Sequence, residues 1–185
     1  MDLPDSLGPH QPASSHIDRP DHCDGTYDSY CDAFRQYTNI TAILESYKRY
    51  DLLEYMSKYW KDNAGNDEGF WEHEWNKHGT CISTLYPKCY DDYTPQEEVV
   101  DYFQKTVDLF QGLDSYKFLK SEGIVPSANK TYTAVEIQEA LGKHRGGVNA
   151  TIGCHEGGLE QIFYNFNVAG RAQDGVYVPV QPPGE

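Results

Sequence analysis

Apolar residues between positions 38 and 60 recur at helical spacing. Ile40, Ile43, Leu44 and Tyr47 share one stripe, and Leu52, Leu53, Met56, Tyr59 and Trp60 form a second. The pattern predicts two short helices, broken near 49–51, whose aromatic residues pack in a core. Residues 61–69 are polar and glycine-bearing and read as a loop. Helical pairings resume over 70–78, and Gly79 stands where a glycine commonly closes a helix. Residues 87–93 form another loop. Thr94, Pro95, Gln96 and Glu97 have the order of a capping box with proline at the first helical position. They predict a helix to about Leu113, with Val99, Tyr102, Phe103, Val107 and Phe110 facing the core. A short helix over 115–122 is closed by Gly123, and Thr133 to Glu136 opens another that runs through Leu141.

From Asn149 the period changes. Residues 152–154, 160–168 and 175–178 are predicted strands, the second marked by Ile162, Phe163, Tyr164, Phe166 and Val168. Helices early and strands late make an α+β protein. A length of 185 residues suggests a single domain. Residues 1–19, rich in Pro, Ser, His and Asp, are expected to be a disordered segment ahead of a domain at 20–180.

Composition narrows the setting. The hydrophobic fraction is a modest 38%, and fifteen tyrosines, seven phenylalanines and three tryptophans compensate in core volume. No run approaches the ~20 apolar residues of a membrane span, so no membrane partner is expected. A net charge of −14 argues against broad electrostatic capture of nucleic acid but leaves room for a local basic pocket. Five cysteines and three glycosylation sequons, at Asn39, Asn129 and Asn149, favour a secretory origin. The first residues, Met1 to Pro9, have no basic start and no apolar run, and are not expected to act as a signal peptide.

The densest chemistry lies in Phe70-Trp71-Glu72-His73-Glu74-Trp75-Asn76-Lys77-His78-Gly79-Thr80-Cys81. On a helix, Glu74 and His78 share a face, as do His73 and Lys77, and Glu74 neighbours Lys77. Zinc is the first chemistry to weigh. The two histidines are spaced i, i+5 rather than the i, i+4 of H-E-x-x-H, a further ~100° of rotation. A lysine beside the site disfavours a cation, and three or four converging ligands cannot be assembled. No metal is expected. Metal-free cleavage of RNA through its own 2′-hydroxyl fits better. It needs a base for that proton, an acid for the leaving 5′-oxygen and positive charge for the phosphorane. Histidine suits the proton roles and lysine the charge. A second proton-transfer histidine is not clearly placed within the segment.

This segment closely resembles the second active-site segment of the ribonuclease T2 family, its fungal members above all. Residues 153–159 and 164–168 look like the late strands of that family, and 20–27 like the tail of its first active-site segment. The likeness runs from about Pro20 to about Tyr177. It implies an antiparallel sheet with helices packed around it. It also implies an extracellular, monomeric endoribonuclease that needs no cofactor. The enzyme would cleave single-stranded RNA to 2′,3′-cyclic phosphate ends.

By the same resemblance, His78 is the general base, Glu74 and Lys77 stabilise the phosphorane, and His73 holds the phosphate. Asp21 and Tyr27 match a first base pocket, where one hydrogen-bonds a base and the other stacks on it. Phe70 matches a residue of the second base pocket. Cys31 and Cys81 are implied to form a disulfide. The family partners of Cys23, Cys89 and Cys154 have no counterpart here, so these three are expected to be unpaired. The family's first segment begins His-Gly-Leu-Trp-Pro, with histidine as general acid, and this chain reads His16-Ile17-Asp18-Arg19-Pro20. His16 keeps the offset and is the candidate acid. The loss of glycine, leucine and tryptophan predicts a poor catalyst. The alternative is an inactive secreted protein of the same fold that binds RNA or another partner.

Overall fold

Both stripes of residues 38–60 form helices in a computed structural model, which describes residues 20–182 apart from Cys23. Helix α1 spans Ile40–Ser46 and α2 spans Tyr50–Tyr59. Asn39 caps α1 by accepting the Ala42 N–H, and the chain turns between the helices through Lys48 at φ +57°. Helix α3, Asp67–Lys77, begins inside the predicted loop because Asn66 caps it by accepting the Gly69 N–H at 3.2 Å. Asp67 and Glu68 then lie in its first turn, where the helix dipole favours negative charge.

Helix α4, Glu97–Gln111, starts later than Pro95. Gln96 sits at φ +72° with its N–H donated to the Tyr93 hydroxyl at 3.1 Å, so the helix cannot run through it. The Glu97 half of the expected capping box forms: its carboxylate accepts the Thr94 N–H at 2.9 Å. Phe110 is half-buried rather than a core residue.

The described residues fall into two compact units. One takes residues up to 109 together with 168–176. Its core gathers Ile40, Leu44, Met56, Trp71, Trp75, Leu85, Val99 and Phe103. The other takes 110–167 and residues from 177 onward. Here α5, Ser115–Ser121, and α6, Ala134–Lys143, pack Leu119, Ile137 and Leu141 with Leu159 and Ile162. Thr133 and Glu136 open α6, at its expected start, with a complete capping box.

Strands β1, Thr151–His155, and β2, Gly158–Phe163, pair antiparallel, with Ile152 opposite Ile162. Their turn is Glu156-Gly157, at φ +48° and +83°, the left-handed pair that a two-residue hairpin requires. The single strand expected over 160–168 is instead cut in two. The Tyr164 hydroxyl bonds Ser115 at 2.7 Å, and the Asn165 carbonyl accepts from Arg145 and Val180, each at 3.0 Å. These bonds divert the chain before β3, Phe166–Ala169, which pairs with β4, Val176–Pro179. The α+β class read from the sequence is that of the structure, and the antiparallel pairing that the family likeness implied is seen in β1–β2.

Gly79 does not close α3 as a left-handed cap; it opens a 3-10 turn, Gly79–Cys81. Its role is space, since a Cβ there would lie 2.3 Å from Cε3 of the Trp75 ring. That ring is fully buried and donates from Nε1 to the Arg35 carbonyl at 2.7 Å. We expect Gly79→Ala to destabilise the fold by about 1–3 kcal/mol, the usual range for overpacking. Urea denaturation measures this, and an unchanged midpoint would mean that the ring moves aside freely.

Candidate active site

Helix α3 is fastened along its length by residues of the segment itself. Trp71 Nε1 donates to the Trp60 carbonyl at 2.9 Å. Trp75 stacks on Tyr37, with ring centroids 6.3 Å apart and 11° between planes, and meets Tyr102 edge-on. Asn76 grips the backbone of Tyr37: Oδ1 accepts its N–H at 2.8 Å and Nδ2 donates to its carbonyl at 3.0 Å. Glu72 accepts the Asn39 N–H at 2.6 Å, and Glu68 accepts both the N–H and the hydroxyl of Thr41.

The C-terminal end is tied to residues 30–35. Cys31 and Cys81 form the expected disulfide. It closes a separation of 50 positions and contributes about 4 kcal/mol on the chain-entropy model. Tyr30 donates its N–H to the Lys77 carbonyl at 3.0 Å, and Cys31 donates to Thr80 Oγ1 at 3.1 Å. Arg35, buried and paired with Asp32, donates to the carbonyls of Thr80 and Leu85.

The last turn of α3 and its cap gather the titratable groups. Glu74 and His78 are buried, at 3% and 2% exposure, while Lys77 is half-buried and His73 exposed. The His73 and His78 rings lie 6.3 Å apart at 84°. Ligand-type atoms of His73, Glu74 and His78 all fall within 4.8 Å of one another. This corrects the expectation that i, i+5 spacing holds the histidines apart. His78 is the C-cap, at φ −108° and ψ −50°, so the ideal helical rotation no longer separates the pair. The trio has the spacing of a cation site, with the Lys77 charge opposing one.

Burial pushes the Glu74 carboxyl up to about 7, with Lys77 pulling the other way. Burial, and then the Lys77 charge, hold His73 below its ordinary value.

Asp21 and Tyr27 face each other across an isolated antiparallel bridge. Between them His22 donates its N–H to the Thr26 carbonyl at 2.7 Å, and Asp24 accepts from the Thr26 N–H and hydroxyl. Both Asp21 and Tyr27 are exposed, and the Tyr27 ring centroid is 6.4 Å from that of His78. Phe70 is half-buried against the core. His16 and Cys23 lie outside the described residues. Cys89 is a free thiol, and Cys154 is exposed on β1. Asn39 and Asn129 are exposed and Asn149 is half-buried. Sequence reasoning missed Tyr30, whose hydroxyl lies 3.4 Å from His73 Nδ1. The one signal for it was its place beside Cys31, which the disulfide carries to the end of α3.

The ribonuclease T2 family model matches residues 14–174. The chain belongs to the ribonuclease T2 family. It is 54% identical over 173 residues to ribonuclease T2 of Aspergillus oryzae, covering 94% of this chain and 63% of that protein. It is also 54% identical over 183 residues to a ribonuclease T2-like protein of Aspergillus fumigatus, covering 99% of this chain and 45% of the other. The chain therefore spans less than two thirds of either relative. Among solved structures, Actibind, a T2 ribonuclease, is similar with a TM-score of 0.88 and 51% identity, over 94% of this chain and 75% of that one. In this member of the family, the segment read as its second active-site segment is the one that α3 and its turn bring together.

Glu74 makes the stability of the fold depend on pH with a definite sign. Its folded pKa, about 7, exceeds the ordinary 4.5, so the folded state binds the proton more tightly. The contribution is present in full below about 4.5 and is lost as pH rises to about 7, an effect of about 3 kcal/mol at most. We expect Glu74→Gln to lose less stability than the parent chain between pH 4.5 and pH 7.5 in urea titrations, a window set by the roughly 4.5-to-7 shift. Parallel losses would show that the buried carboxyl stays charged throughout.

Proposed function

We propose that this chain is an endoribonuclease that cleaves single-stranded RNA by metal-free transphosphorylation, leaving 2′,3′-cyclic phosphate ends. The observation that carries the reading is the meeting of His73, Glu74, Lys77 and His78 at one end of α3, beside the exposed Tyr27. Its support is a chain 54% identical, over 173 residues, to a protein named ribonuclease T2.

In this reading His78 takes the proton from the 2′-hydroxyl, and that oxygen bonds to phosphorus. The bond from phosphorus to the 5′-oxygen breaks, and an acid returns a proton to the leaving oxygen. Lys77 offsets the charge of the phosphorane, and Glu74, protonated in acid, donates a hydrogen bond to it. His73 holds the phosphate. Asp21 hydrogen-bonds one base and Tyr27 stacks on it, while the exposed part of Phe70 serves the next base. His16 supplies the acid on the strength of its offset from Pro20. The domain is residues 20–180, acting as a secreted monomer glycosylated at Asn39, Asn129 and Asn149. No helix of the described residues is long and apolar enough to cross a membrane. An inactive RNA-binding protein is the second reading, favoured by Ile17, Asp18 and Arg19 where the family motif has glycine, leucine and tryptophan.

The test is cleavage of a defined single-stranded RNA in excess chelator, with end-group analysis. We expect slow cleavage to cyclic phosphate ends, abolished by His78→Ala. A metal requirement would overturn the metal-free step, and binding without cleavage would favour the second reading. His16→Ala assigns the acid: a fall of roughly 10²–10⁴ in rate places it at His16, and an unchanged rate places it elsewhere.

A further inference from the structure

We infer that Tyr30 is a positioning residue for His73, its hydroxyl engaging Nδ1 so that the Nε2 N–H is the one presented to the substrate phosphate. The inference rests on the reading of His73 as the phosphate holder.

Three observations carry it. Tyr30 sits in the left-handed region at φ +54°, which a bulky residue adopts only where its surroundings impose it. The surroundings here are α3 itself: the Tyr30 N–H donates to the Lys77 carbonyl, the next N–H donates to Thr80 Oγ1, and Cys31 is bonded to Cys81. The result of that constraint is a side chain aimed at one atom. The hydroxyl lies 3.4 Å from His73 Nδ1, and the phenol ring stands edge-on to the imidazole at 81°. In a folded protein without substrate, catalytic hydrogen bonds are commonly long and tighten on binding.

The chemistry explains why such a contact matters. A neutral imidazole has one N–H and one acceptor nitrogen, and the hydrogen bond made by one fixes the state of the other. An anionic phosphate oxygen accepts hydrogen bonds only. A hydroxyl that donates to Nδ1 selects the tautomer with its proton on Nε2. Burial and the Lys77 charge both favour the neutral ring, so His73 needs that tautomer to bind an anion. Glu74 and His78 also lie close to it.

The experiment uses the full chain, 15N-labelled, with His73 resonances assigned by their loss in His73→Ala. Long-range proton–nitrogen spectra report the Nδ1 hydrogen bond, and titration with inorganic phosphate reports anion binding. We expect Tyr30→Phe, which keeps the ring and the fold, to move Nδ1 to the position of an unbonded acceptor nitrogen. It should also weaken phosphate binding about threefold to tenfold, the equivalent of one neutral hydrogen bond. In a His73→Ala background the same change should have no further effect. An Nδ1 signal unmoved by Tyr30→Phe, or equal losses in both backgrounds, would overturn the inference. If these results are as expected and the parent chain cleaves no RNA, the Tyr30–His73 contact stands and the ribonuclease reading is the one that fails.

Discussion

Trp75 is the side chain on which the rest of this site depends. One face of its indole stacks on Tyr37, its edge meets Tyr102, its N–H is spent on the Arg35 carbonyl, and Gly79 leaves room for its benzo ring. These contacts lie on three stretches of chain, at 35–37, at Gly79 and at Tyr102, so burying this one ring aligns all three with α3. Asn76 repeats the hold on Tyr37 through the backbone, and Tyr37 passes it on to the buried Glu98 of α4 through its hydroxyl. A helix of this length would be marginal alone, and tertiary packing of its aromatic face makes it rigid.

That rigidity has an electrostatic consequence. The face that carries Trp71 and Trp75 into the core also carries Glu74 and His78 to its edge, where water reaches them poorly. Burial favours the neutral carboxyl of Glu74, while Lys77 in the same turn offsets part of that preference. The arrangement destabilises the fold as pH rises, and it prepares a low-dielectric site in which one ammonium charge acts strongly on an anion. Stability and chemistry draw on the same buried groups. The disulfide and Arg35 hold the turn after His78 from the other side.

On the proposed reading, a chain of net charge −14 would have to confine its attraction for RNA to a small region. On that reading Lys77 and the two histidines near the end of α3 would form such a region, and the exposed Tyr27 would add a face for stacking that does not depend on charge. Acidic conditions would both lower the overall repulsion and protonate Glu74.

The segment 70–81 announced its chemistry through residue types and spacing alone, because a helix of known period fixes which side chains are neighbours. The stripes of 38–60, the helix start at Thr133 and the disulfide implied by the family likeness were legible for similar reasons: each is local, or carried by a highly specific motif. What escaped the sequence was decided by contacts between distant residues. The strand expected over 160–168 breaks because Ser115, Arg145 and Val180 claim the groups of Tyr164 and Asn165. The helix expected from Pro95 waits for Glu97 because the Tyr93 hydroxyl takes the Gln96 N–H. Gly79 looked like a helix stop and proved to be room for a tryptophan ring. His73 and His78 looked divergent on an ideal helix and meet because α3 gives way at its cap. Tyr30 is 43 positions from His73, and only the folded chain brings its hydroxyl there. Periodicity carries local geometry, whereas the claim of one group on another far along the chain is settled only when both are packed into the same space.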